Sequence, residues 1–228
     1  MLPLRDNVPT RHFAVVTVGL ILVNVGVWLL YQLPDLEGSV RQSAFFPCDV
    51  DASCDAPSWP WPLTALTAMF LHGSWEHIAG NMLFLWIFGN NVEDAMGRLR
   101  YLLFYLLAGA AATATQAFVT LAFGSAADAQ IPNVGASGAI AGVMGAYLVL
   151  LPHARVLTWF VFVLREIPAG LYLLFWFVFQ LWVGSFSLVH PEQGGGVAFF
   201  AHVGGFVFGM LMVKLFARAA GARAGLLR

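Results

Sequence analysis

Residues 133–142 read "NVGASGAIAG". Most of these side chains are small, and one of them, Ser137, carries a hydroxyl. Small residues let helix backbones approach closely inside a membrane, so the stretch suits a packing seam. The same hydroxyl is also a candidate nucleophile. The apolar segment it opens is short. Residues 137–151 number 15, about 22 Å of helix against about 30 Å of hydrocarbon. With its inner end at the boundary near Pro152, its outer end stops roughly 8 Å below the outer surface. Ser137 sits at that outer end, and its surroundings decide between packing and chemistry.

The chain is 60% hydrophobic and 10% charged, whereas a soluble domain has about 25% charged residues. Its partner by composition is the lipid bilayer. A net charge of −1 gives no case for nucleic acid. Six apolar segments near spanning length cover 13–33, 76–92, 101–123, 137–151, 168–189 and 199–217. Little is left for a separate soluble domain, so the expectation is one all-α membrane domain over 1–228, with six transmembrane helices. The opening "MLPLRDNVPTRHFAVVTVGLILVNVGVWLLYQL" superficially resembles a signal peptide. Its apolar run exceeds the roughly 7–15 residues of a signal core and no clear A-x-A site follows, so it reads as a retained first span. No internal repeat of the transporter kind is present.

Charge predicts the orientation. With a cytoplasmic N-terminus and one crossing per segment, Arg5, Arg11, Arg98, Arg100, Arg155, Arg165, Lys214, Arg218, Arg223 and Arg228 lie inside. Only Arg41 lies opposite, a ten-to-one split that follows the positive-inside rule. Dropping one segment would invert the remainder, so the same count supports six spans and cytoplasmic termini. The first outer loop, about 34–75, is long, acidic and rich in Pro and Trp ("CDAPSWPWPLTALTAMFLHGSW"). Its apolar end is suited to the interface, where Trp is favoured.

Polar residues within apolar segments are costly and are functional candidates by default. In the outer half these are Ser137, His202, His77, Asn81 and His72. Ser137 alone is equally at home in a helix contact. A histidine three residues into "FFAHVGGFVFG" needs a partner. The segments that carry Ser137 and His202 both enter from outside, so the two side chains lie at similar depth. Below them, Ser137, Ala141 and Gly145 share one face, and His202, Gly205 and Gly209 share another. Two such small-residue faces in contact would bring the hydroxyl to the imidazole, the geometry of a general base on a serine. No acid stands near His202, so a Ser–His dyad is expected, with packing holding the ring.

Acyl transfer also needs donors for the developing oxyanion. In "HGSWEHIAGNM", His77 and Asn81 are four apart and share a face. Backbone N–H groups at Ser137 and Gly138 are free at a helix start. The alternative for Asn81 is interhelical bonding, and for His72 an interfacial hydrogen bond. "HGSWEH" is one residue too long for an H-x-x-E-H zinc pattern, and His72 and His77 fall on different faces. No metal or other cofactor is expected.

"GASGAIAG", "HGSWEHIAGNM" and "AHVGGFVFG", each on its own segment, resemble the rhomboid family of intramembrane serine proteases, as do "MGRLRYLLFYLLAG" and "LREIPAGLYLLFWFVFQL". The resemblance implies a six-helix bundle around a water-filled cavity open to the extracytoplasmic side. It implies Ser137 as nucleophile, His202 as general base, and His77, Asn81 and the Ser137 N–H as the oxyanion site. Gly135 and Gly138 are the glycines of the G-x-S-G motif, and Glu93 and Gly97 match a structural E-x-x-x-G. Substrates would be transmembrane proteins cut near their outer helix ends, where Gly or Pro eases unwinding.

Two features depart from the family pattern. Ala141 stands where some members stack an aromatic on the histidine, leaving Phe199 or Phe200 to hold the ring. Trp59 and Trp61 have no arginine beside them, unlike members with a Trp-Arg pair in that loop. The loop "VHPEQGGGVAFF" (189–200) reads as a plain connector or as a mobile cap. Cys48 and Cys54 face the oxidising side, where a disulfide can form, and whether they pair is open. Gln116 and Gln180, deep in their segments, read as interhelical hydrogen bonds. Two other classes are set against the protease: a non-catalytic rhomboid-like protein that binds transmembrane clients, and a transporter or channel. The first should lack the serine or the histidine, and the second should show repeats or buried charge. The compact form suggests a prokaryotic plasma membrane.

Overall fold

The computed structural model describes residues 2–54, 58–160, 162–189 and 198–218. Most of the loop 189–200, and Arg223 and Arg228, lie outside them. The chain runs β1 (Leu2–Asp6), α1 (Val15–Val27, continued by a π-turn Trp28–Gln32), α2 (Leu36–Ser43), α3 (Trp61–Thr67, continued by a 3-10 turn Ala68–Phe70) and α4 (Trp75–Met96). It continues with α5 (Arg98–Phe123), α6 (Ala126–Ala129), α7 (Ser137–Leu150), β2 (Arg155–Phe160), β3 (Val163–Pro168), α8 (Ala169–Val189) and α9 (Phe199–Phe216). Each expected segment coincides with a helix.

The helices differ in kind. Among the described residues, four are long and apolar enough to cross a membrane: Val15–Gln32, Arg98–Phe123, Ala169–Ser187 and Phe199–Phe216. Large apolar side chains on their outer faces are exposed, among them Leu30, Leu99, Trp182 and Leu211. This is the surface of an integral, multi-pass membrane protein, with lipid as the solvent for those faces. α4 has 22 residues but carries Glu76, Glu93 and Asp94. α7 has only 14 residues, and every residue from Gly138 to Tyr147 is buried. A helix enclosed by protein is not obliged to match the bilayer thickness.

The core joins α4, α5, α7 and α9 around Phe88, Tyr101, Phe104, Tyr105, Tyr147 and Phe206. Near the C-terminal end of α4, Glu93 supplies the N-cap that α1 lacks. Its Oε1 accepts from the Val16 N–H at 3.0 Å, and its Oε2 from the Thr17 N–H and hydroxyl at 2.8 Å each. The cap satisfies first-turn donors. Gly97 turns the chain from α4 into α5 with φ +80°, a conformation open to glycine.

An all-α fold does not describe the molecule. β1, β2 and β3 form an antiparallel sheet in that order, with Leu2 opposite Trp159 and Trp159 opposite Leu164. Val156 and Thr158 alternate inward along β2. Asp6 at the end of β1 accepts from the Tyr147 hydroxyl at 2.6 Å and from Asn91 Nδ2 at 2.7 Å. Burial pushes the Asp6 carboxyl above the usual range, against the pull of these donors. Cys48 and Cys54 are joined in a disulfide, and the segment Trp61–Phe70 forms a short apolar helix between α2 and α4.

Candidate active site

The chain reaches Ser137 through a loop tied down on both sides. Phe45 and Asn133 exchange backbone hydrogen bonds of 3.2 and 2.8 Å, and the Gly135 N–H donates to the Ala68 carbonyl at 2.9 Å. Gly135 has φ +128°, and a Cβ there would lie 2.8 Å from His77 Nε2. Glycine is needed for the turn and for the room that His77 occupies. The chain then enters α7 with Ser137 as first residue. The first N–H groups of a helix have no partner within it, and in α7 no side-chain cap takes them up.

α9 lies against α7 backbone to backbone. A Cβ on Gly145 would collide with the Phe206 carbonyl, one on Gly205 with that of Gly138, and one on Gly209 with that of Gly142. On the other side of α7, Ala108 and Ala112 of α5 fill the space beside Gly142 and Gly138. The seam on α7 therefore runs through Gly138, Gly142 and Gly145: of the expected row Ser137, Ala141 and Gly145, only Gly145 lies on the seam, and Gly142 takes the place of Ala141. At 100° per residue, a one-position error in the facing row turns the stripe by more than a quarter of a turn. Ala141 is fully buried in the core.

The seam brings Ser137 and His202 together. Ser137 Oγ lies 2.8 Å from His202 Nε2. The other ring nitrogen, Nδ1, lies 2.7 Å from Gln180 Oε1 on α8. Trp176, one turn earlier on α8, covers the ring at 5.7 Å with an interplanar angle of 37°. Phe199 meets its edge at 6.4 Å. α9 itself is tied at its start by Gln116 of α5, whose Oε1 accepts from the Ala201 N–H at 3.1 Å.

Ser137, His202, His77 and Asn81 all line one cleft of about 600 Å³, with Trp176, Gln180 and Met144 in its walls. Ser74 caps α4, its hydroxyl accepting from the His77 N–H at 3.2 Å. The His77 Nδ1 accepts from the Gly73 N–H at 3.3 Å. In a neutral ring the proton then sits on Nε2, on the side of Gly135 and the serine. Asn81 Nδ2 is buried with no hydrogen-bond partner. Among the described residues nothing accepts from that amide, so it is free to donate to a group in the cleft.

His72 stands apart. Its ring is fully buried and edge-on to His77 at 5.1 Å. Burial, reinforced by His77, pushes its pKa well down and keeps it neutral. The interfacial hydrogen bond expected of His72 is made by its backbone instead. The His72 N–H donates to Gln32 Oε1 at 2.8 Å, and Gln32 Nε2 donates to the His72 carbonyl at 2.9 Å. The π-turn that ends α1 carries Gln32. Among the described residues, no group of three or more His, Cys, Asp or Glu could hold a metal ion.

Trp176 and Gln180 join the site without being marked for it by the sequence. Their spacing of four on an apolar helix is the available signal. Gln180 makes the interhelical hydrogen bond expected of it, and its partner is His202.

Comparison with known proteins adds an independent line. The Rhomboid domain family model matches residues 60–219. Rhomboid protein 1, mitochondrial, of Saccharomyces cerevisiae is 28% identical over 195 residues, covering 85% of this chain and 51% of that protein. The presenilin-associated rhomboid-like protein, mitochondrial, of Bos taurus is 31% identical over 138 residues, 60% of this chain and 33% of that one. Rhomboid protease GluP of Bacillus subtilis is 41% identical over 83 residues, 36% of this chain and 15% of that one. The chain thus spans about half or less of the length of these relatives. They include mitochondrial proteins as well as a bacterial one, so they do not support a prokaryotic plasma membrane over an organellar one.

Proposed function

The chain belongs to the rhomboid family, and on that premise we propose that it is an intramembrane serine endopeptidase acting on transmembrane helices of other proteins. The single observation that carries this reading is the 2.8 Å approach of Ser137 Oγ to His202 Nε2 in the wall of the cleft. That is hydrogen-bond reach for a nucleophile and its general base.

In the proposed reaction Ser137 Oγ attacks the scissile carbonyl carbon as its proton passes to His202 Nε2. The carbonyl oxygen becomes an oxyanion that accepts from His77 Nε2–H, Asn81 Nδ2–H and backbone N–H groups at Ser137 and Gly138. One such donor is worth roughly 3–4 kcal/mol in the transition state, and the unpartnered Asn81 amide is suited to the task. Collapse breaks the C–N bond, and His202 returns its proton to the leaving amine. Water in the cleft then attacks the acyl-enzyme with His202 again as base, which releases the new carboxylate and restores Ser137.

The chemistry needs water that hydrocarbon excludes, and the cleft of about 600 Å³ is roomy and polar enough to hold it. A backbone carbonyl inside a helix is already hydrogen-bonded and hard to attack. Segments weakened by Gly or Pro near the outer membrane surface are therefore the favoured substrates. The charge asymmetry of the loops supports six crossings with both termini in the cytoplasm.

Reconstituted into liposomes with a transmembrane test substrate, the protein is expected to cleave it and to lose cleavage to background in Ser137→Ala with an unchanged melting temperature. A fluorophosphonate probe should label the wild-type protein and not that variant. Cleavage that survives Ser137→Ala would overturn the assignment.

A further inference from the structure

We infer that Gln180 is a positioning residue, the third member of a neutral Ser137–His202–Gln180 relay, supplied by α8. The inference rests on the reading of Ser137 and His202 as nucleophile and base. For His202 Nε2 to take the serine proton, its lone pair must face Ser137. In a neutral imidazole the ring proton then sits on Nδ1. That N–H points at Gln180 Oε1, 2.7 Å away, while Nε2 holds Ser137 Oγ at 2.8 Å. The amide oxygen accepts and the ring donates, so Gln180 selects the tautomer that the chemistry uses. With the amide reversed, its NH2 would face Nδ1, the ring proton would move to Nε2, and Ser137 would lose its base.

The position suits an amide. Gln180 is buried on an apolar helix, where an unpaired carboxylate would be costly. A glutamine presents the same acceptor oxygen without a charge. The acceptor need only orient the ring and receive Nδ1–H, as an asparagine does in Cys-His-Asn proteases. Trp176 lies four residues earlier and covers the same ring, so one face of α8 supplies both the cover and the acceptor. This accounts for Ala141: the support absent from α7 comes from α8.

The experiment compares wild type with Gln180→Leu and Gln180→Glu in liposomes, with Ser137→Ala as blank. Kinetics and the histidine nitrogens of 15N-labelled protein are both measured, with His202→Ala assigning the signal. Gln180→Leu should lower kcat roughly tenfold to a hundredfold with little change in KM, part of the 10²–10⁴ that a placed general base contributes. Gln180→Glu should restore a tenfold or greater share of the loss. It should also move the acidic limb of the pH profile to higher pH, because a carboxylate favours the charged ring. Two other titratable groups line the cleft, His77 and Glu76 of α4, and neither is altered. NMR should find the His202 proton on Nδ1 in wild type and lose that tautomer in Gln180→Leu.

A wild-type ring protonated on Nε2 overturns the inference, as does a Gln180→Leu protein with wild-type kcat and tautomer. The Nδ1–H signal and its loss in Gln180→Leu, without any Ser137-dependent cleavage, would sustain the positioning role and sink the protease reading instead.

Discussion

The two contacts of α9, one with α7 and one with α8, are built from opposite materials. Against α7 it offers backbone, with Gly205 and Gly209 on the carbonyls of Gly138 and Gly142, and Gly145 facing that of Phe206. Against α8 it offers rings. Phe206 stacks on Phe177 at 4.7 Å, and His202 meets Trp176 at 5.7 Å and the Gln180 amide at 2.7 Å. Backbone has no rotamers, so the first contact sets how close Ser137 and His202 stand and leaves little freedom to change it. Side chains adjust by rotamer, so the second sets which way the imidazole points. Reach and direction are thus controlled by different neighbours of one helix.

The largest effect should come from the backbone seam. Gly145→Leu drives a side chain into the Phe206 carbonyl, which no rotamer change relieves. We expect about 3 kcal/mol of destabilisation, the upper end for overpacking, read as a lower melting temperature, with loss of fluorophosphonate labelling at Ser137. A folded, fully labelled Gly145→Leu protein would break the comparison.

A smaller effect is expected at the inner end of α7, where Tyr147 is anchored on Asp6. Asp6→Ala leaves the buried Tyr147 hydroxyl without its acceptor and should cost about 1–3 kcal/mol. Asp6→Asn keeps an acceptor and should be at least as stable as wild type at neutral pH. The sign follows from the raised carboxyl of Asp6. The folded state favours the protonated form, so this contribution is full below the ordinary aspartate pKa. It is lost as pH rises through the raised folded value. The dependence should be present in wild type and absent in Asp6→Asn thermal scans; its persistence in the variant would assign it to another group.

The smallest effect should come from the side-chain contact. Trp176→Leu uncovers the His202 ring and loosens the contact with the Phe206 ring, while the glycines of the seam stay in place. The expected result is about a tenfold fall in kcat, roughly 1.4 kcal/mol, with Ser137 still labelled by the probe. Loss of folding in Trp176→Leu would mean that α8 holds the bundle together as well as the ring.

Much of the site is legible in the sequence. His77, Asn81, Ser137 and His202 are polar residues in apolar segments, and each stands out in its own stretch of chain. Counting crossings leads one to expect them at a common depth. The sheet is not legible. β2 and β3 are six residues each, too short to rise above the apolar background. β1 pairs with a strand far along the chain, Leu2 with Trp159, a long-range contact that no local pattern announces. The facing row of α7 is easily mistaken because every face of that helix is small or apolar, so periodicity marks no inward side.

By itself the sequence determined the membrane class, the positions of the helices and the small-residue stripes that permit close approach. These are local properties, set by how many apolar residues stand in a row and where a polar one interrupts them. Only the tertiary structure decided how each helix is rotated about its axis. That rotation put Gly142 at the seam in place of Ala141, and it turned Gln180 from an interhelical hydrogen bond of unknown partner into the acceptor for His202. Rotation is a joint property of neighbouring helices, fixed by which backbones can touch and which side chains must fill the remaining space.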